Sequence, residues 1–158
     1  MTRECCPRQA NGKETALADA GFDQVEHSIL EICRFFFQTF AQPTCQSWLH
    51  ALQRADHVFE PEHSAQTAFS ILAMVQAMRA SRKSSFRFNN PYCPGCAQLL
   101  TEHERQFMGV FRGLRTGHLS EAQTHAMLLC EGHDTTAFLD RTASLVGLLA
   151  QAPVAPDY

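Results

Sequence analysis

Asp23-Gln24-Val25-Glu26-His27-Ser28-Ile29-Leu30-Glu31-Ile32-Cys33-Arg34-Phe35-Phe36-Phe37-Gln38-Thr39-Phe40 is the stretch on which the architecture turns. Its apolar residues, Ile29, Leu30, Ile32, Cys33, Phe35, Phe36, Phe37 and Phe40, cover most of a helix circumference. Such a helix has little surface to give to water and belongs in the middle of a bundle. Asp23 and Glu26 have the spacing of a reciprocal N-terminal cap, so the helix is expected from Asp23 to Phe40 or Ala41, before Pro43 interrupts.

Downstream the helical pattern repeats. Thr44 can cap a second helix whose stripe is Trp48, Leu49, Leu52, Ala55 and Val58. Pro61 suits the first turn of a third, with Glu60 and Glu62 at its positive end and Phe69, Ile71, Leu72, Met74, Val75 and Met78 on its apolar face. That helix should stop between Arg79 and Lys83, leaving residues 84–100 as a loop. Thr101/Glu104 and Ser120/Gln123 each have capping-box spacing, Gly132 can end a helix and Asp134 can cap another. Helices are therefore expected at about 102–116, 120–131 and 134–150. Strand signals are nearly absent, and so is any internal repeat. The fold class read from these patterns is all-α: a single bundle of five to six helices over residues 22–151. Residues 1–21 and 152–158 are expected to be loose tails.

Bulk composition agrees. The chain of 158 residues, 45% hydrophobic and 18% charged, can build its own core. Twelve Phe against two Tyr and one Trp suggest a dry aromatic interior. A net charge of −3 argues against adhesion of the whole molecule to nucleic acid or anionic membrane. No apolar run reaches signal-peptide or membrane-spanning length, so a soluble, cytoplasmic protein is expected. In a reducing compartment, seven cysteines point to metal or redox chemistry before structural disulfides.

Four residues have metal-ligand spacing. Cys93-Pro94-Gly95-Cys96 is a C-x2-C, and Cys130-Glu131-Gly132-His133 is a C-x2-H. Zinc takes four such ligands in a tetrahedron, and two short-spaced pairs are how one chain usually supplies them. If helices 102–116 and 120–131 pair antiparallel, residues 102 and 134 stand at one level with the Cys-Pro-Gly-Cys turn beneath, and a zinc-bound Cys3His turn can close. His103 and Asp134 are candidates to support it. Four protein ligands leave no open position, which favours a structural role for the ion. The rival reading of the cysteines is a redox dithiol, although no strand precedes it as dithiol motifs usually require.

A second feature is cationic. Arg79, Arg82, Lys83 and Arg87 lie within nine residues beside Phe86 and Phe88, with no acidic residue from 79 to 90. The cluster suits anion or nucleic-acid contact; it equally suits the negative end of a helix dipole. Gly109, Gly113 and Gly117 recur every four residues, allowing a close backbone approach within the chain or in a homo-oligomer, or simply ending a helix. Of the eight histidines, only Glu60/His63 has di-iron spacing, across Pro61. Cys5-Cys6-Pro7 reads as exposed thiols; the Cys-Pro pairs at Cys6 and Cys93 are too short to mark a haem motif. Neither a serine-nucleophile motif nor a P-loop is present.

Together these residues suggest a non-enzymatic, zinc-stabilised interaction or regulatory module that binds a protein or nucleic acid through residues 79–90. The alternative is a thiol-based redox or metal sensor that uses the cluster of Cys93, Cys96, Cys130 and His133. Third comes a metal-dependent enzyme with Glu102, Glu104 or Glu131 as base.

Overall fold

In the computed structural model, which describes residues 12–151, the helix centred on the phenylalanine run spans Gln24–Ala41 (α1). Asp23 Oδ1 accepts from Glu26 N at 2.9 Å and Glu26 Oε2 accepts from Asp23 N at 2.9 Å, so the reciprocal cap forms. Ile29, Leu30, Ile32, Cys33, Phe36 and Phe37 are buried. The tail expected at 152–158, and Cys5 and Cys6 in the other, lie outside the described residues.

Five further long helices follow: α2 Ser47–Val58, α3 Pro61–Ser81, α5 Glu102–Thr116, α6 Leu119–Leu129 and α7 Thr136–Gln151. A single turn, α4 (Pro94–Ala97), carries the Cys-Pro-Gly-Cys sequence. The predominantly helical architecture is thus as expected. Of the long helices, α1 packs on α2, α3 and α5, while α5 joins it to α6 and α7. With α3 also packed on α7, the core is one cluster to which all six long helices contribute, rather than a shell around α1 alone.

Three local expectations differ. Residues 15–20, assigned to the loose tail, form a strand β1 (Thr15–Ala16) and a 3-10 turn; β1 pairs antiparallel with β2 (Leu99–Leu100), Thr15 opposite Leu100. Two-residue strands carry no periodicity, so no sequence pattern could announce them. On α2 the buried positions are Ser47, Ala51, Ala55 and Val58, and Trp48, Leu49 and Leu52 face outward; the cap position is Gln46 in left-handed conformation, because residues 43–45 form a 3-10 turn that takes Thr44 out of the cap. On α6 no Ser120/Gln123 box forms: His118 holds the cap position, and Gln123 Nε2 donates instead to Thr135 Oγ1 at 3.3 Å.

The α5–α6 pairing explains two of the three spaced glycines. A Cβ on Gly109 would lie 2.6 Å from the His125 ring, and one on Gly113 would lie 2.9 Å from Ala122 Cβ and 3.0 Å from its backbone nitrogen. Both permit close approach within this chain. Gly117, at φ 81°, ends α5. The register places residue 109 beside 125 and 113 beside 122, close to the antiparallel pairing expected from the caps.

Candidate functional site

The expected zinc ligands stand as two separate pairs. Cys93 and Cys96 are joined by a disulfide across α4, with Cα atoms 5.2 Å apart. Cys93 is buried at the cap of the turn and Cys96 is half-exposed; Cys96 N donates to Cys93 Sγ at 3.2 Å. Tyr92, just before the turn, hydrogen-bonds Ser47 Oγ (2.9 Å) and His50 Nδ1, and its ring lies against Phe35.

The other pair sits at the end of α3. Cys130 is fully buried, and Ser81 Oγ donates to its sulfur at 2.9 Å. Burial pushes this thiol up, against the opposing pull of Ser81 and Arg82, so it is held protonated. His133 Nδ1 meets the carbonyl of Ser81 at 3.0 Å. Among the described residues, no three His, Cys, Asp or Glu side chains come together as a metal site. A Cys3His group, expected from spacing, is thus not shown among these residues.

The reason is the path of the chain between α3 and α4. Residues 82–93 make no helix, and a segment of that kind can carry the turn up to about 30 Å from Ser84. The segment is held on the α1–α5 side: Asn89 N donates to Glu104 Oε1 (3.1 Å) and Asn89 Nδ2 to the Leu99 carbonyl (2.8 Å). Levelling residues 102 and 134 was not enough, since α5 has more than one side. His103 and Asp134 are engaged elsewhere. His103 Nδ1 accepts from Arg87 N at 2.9 Å, and burial, followed by Arg82 and Arg87, pushes its imidazole pKa down. Asp134 accepts from Thr136 N and Oγ1 (2.9 and 2.7 Å), which lowers its carboxyl pKa.

What grips the disulfide turn is an ion pair in the core. Arg34 is the lone basic residue in the apolar run of α1 and is almost fully buried. Its Nε and Nη2 donate to Glu104 at 2.7 and 3.0 Å, its Nη1 to the Ala97 carbonyl at 2.9 Å and its Nη2 to the Leu99 carbonyl at 2.7 Å. Glu104 is fully buried and also accepts from Thr101 N at 2.9 Å, closing the capping box of α5. With four donors around it, this carboxylate is a structural anchor and has no room to act as a base. Glu131 is likewise engaged: it accepts from Ser84 Oγ (2.7 Å), Ser84 N (3.0 Å) and Lys83 N (2.9 Å), which hold its pKa at about 2.

The cationic cluster divides. Arg79, Arg82 and Lys83 line one hollow with Phe37, Phe40, Phe86 and Phe88, whereas Arg87 borders a different one with Glu102 and His103. Sequence reasoning found the cations with Phe86 and Phe88 beside them but missed Phe37 and Phe40, the half of the aromatic wall that comes from α1. It also missed the Arg34–Glu104 pair, although a single arginine amid eight apolar positions was a legible signal of a buried partner. Comparison with known proteins gives no matching family model, no matching curated relative and no matching solved structure.

Proposed function

We propose that this chain is a non-enzymatic regulatory domain that senses thiol oxidation through Cys93 and Cys96. The observation that carries this reading is the placement of those two sulfurs in one turn whose next residues hold two other parts of the molecule. Arg34 of α1 grips the Ala97 and Leu99 carbonyls, and Leu17 N donates to the Gln98 carbonyl at 2.8 Å while β1 pairs with β2. The state of the turn thus bears on how the residue 15–17 segment is docked.

The chemistry balances with a peroxide as oxidant. The half-exposed Cys96 thiolate attacks one peroxide oxygen and becomes a sulfenic acid; the hydroxide released takes up the proton that the Cys96 thiol had lost and leaves as water. The Cys93 thiol then displaces the sulfenic oxygen as a second water, leaving the disulfide. Two thiols have given up two electrons and two protons. Magnitude supports a switch over a staple: in the chain-entropy model, closing so short a loop is worth about 2 kcal/mol, well below the 5–15 kcal/mol that holds a typical domain. Reduction should loosen the turn and leave the bundle standing.

The test uses the full chain, reduced and then exposed to hydrogen peroxide. Mass mapping should show a reversible Cys93–Cys96 bond, and amide exchange at residues 15–17 and 97–101 should speed up on reduction and slow again on oxidation. Identical exchange in both states would remove the switch. Zinc carried by the reduced protein at one ion per chain, and lost in both Cys93→Ser and Cys130→Ser, would replace this reading with the four-ligand metal site.

A further inference from the structure

The hollow between α1 and the end of α3 has a volume of about 450 Å³ and is walled by aromatic rings. Phe37 and Phe86 lie 4.4 Å apart by ring centroids, Phe37 and Phe88 5.6 Å, so three of the four rings form one continuous surface. The fourth, Phe40, lies under the Arg79 guanidinium at 3.6 Å, which holds that cation flat against the wall. The hollow has no acidic side chain in its lining.

The two other cations differ in availability. Arg82 is committed: it donates to the Leu129, Ser84 and Ser85 carbonyls, with Glu131 at 3.8 Å. Lys83 gives its backbone nitrogen to Glu131, and among the described residues no carboxylate pairs with its ammonium or with the guanidinium of Arg79. Arg79, which donates to Gln76 Oε1 at 2.8 Å, and Lys83 share the lining of this hollow with its aromatic wall, an arrangement complementary to one negative head on an apolar body. The carbonyls at the end of α3 oppose an anion, and the pair of cations offsets them.

We propose that this hollow binds a small amphipathic anion: an apolar or aromatic body between Phe37, Phe86 and Phe88, with a single carboxylate or phosphate-ester head on Arg79 and Lys83. The volume falls in the range of small-molecule sites. A nucleic-acid track needs a row of cations along a groove with bases stacked between them, whereas here Arg79 and Lys83 share one hollow and Arg87 borders a different one. The net charge of −3 also disfavours a polyanion. This inference is independent of the thiol reading.

Calorimetric titration of the full chain with decanoate and with decyl phosphate, beside decan-1-ol, inorganic phosphate and a twelve-nucleotide oligo-dT, tests it. Binding is expected for one or both amphipathic anions, weaker by about tenfold or more for the alcohol, and undetectable for phosphate alone. Lys83→Gln, at an exposed position, and Arg79→Gln should each weaken the anion by about tenfold with unchanged thermal unfolding. Decan-1-ol binding as tightly as decanoate, binding unchanged in both variants, or oligo-dT binding without either amphipathic anion would each overturn the proposal. The last result would make the patch a nucleic-acid contact.

Discussion

Glu131 occupies left-handed backbone at φ 58° and yet organises the start of the segment that leads away from α3. Its carboxylate ties down Ser84 and Lys83, and those donors, with the hydroxyl of Ser84 foremost, depress its pKa from 4.5 to about 2. A carboxylate stabilised in the folded state contributes stability above its unfolded pKa and loses it as pH falls through the folded one. The Lys83–Ser84 contact should therefore be intact above about pH 4.5 and released toward pH 2. Amide exchange of Lys83 and Ser84 across that window checks this, and Glu131→Gln should flatten the profile. Cys130 shows the same point from the opposite side. Its spacing to His133 was legible, but its burial against Ser81, which keeps the thiol protonated, is a property of neighbours remote in sequence.

Between helices, α5 and α6 lie close because two positions lack a side chain. Replacing Gly113 with Ala would gain about 1 kcal/mol of helix propensity. The new Cβ would meet Ala122 backbone at 3.0 Å, which cannot move without displacing α6. Overpacking of this kind costs about 1–3 kcal/mol, so Gly113→Ala should destabilise the domain in denaturant unfolding. Gly109→Ala meets the His125 ring at 2.6 Å, with Cγ among the atoms struck, so ring rotation alone does not relieve it and this substitution should destabilise the domain as well. The four-residue spacing of these glycines was visible in the sequence, but whether it served packing or a helix end could be decided only by seeing what stands opposite. Caps tell a similar story. Asp23/Glu26 and Thr101/Glu104 form as their spacing suggested, because the cap involves only local backbone, whereas Gln123 found a better partner in Thr135.

Across the whole molecule, one buried ion pair joins α1, α5 and the disulfide turn. Removing one partner of such a pair strands the other charge in the core, at a cost of about 3–5 kcal/mol. Arg34→Met should lower stability by that amount in denaturant unfolding and free the Ala97 and Leu99 carbonyls, so amide exchange in the 97–101 segment should accelerate well beyond that of the remaining core. A change below 1 kcal/mol would show that the pair is dispensable. By itself the sequence determined the features that depend on neighbours along the chain. These are the helical class, five of the six long helices to within about two residues, two N-terminal caps and the paired cysteines of one tight turn. Tertiary structure alone decided which side of α5 receives residues 82–93, and hence that Cys93 and Cys96 meet each other and not Cys130. It also decided that Phe37 and Phe40 wall a hollow under Arg79 and Lys83. Spacing limits what a short segment can do; the direction in which a non-helical segment leaves a helix is set by the summed contacts of the packed molecule, here Asn89 on Glu104 and Glu104 on Arg34.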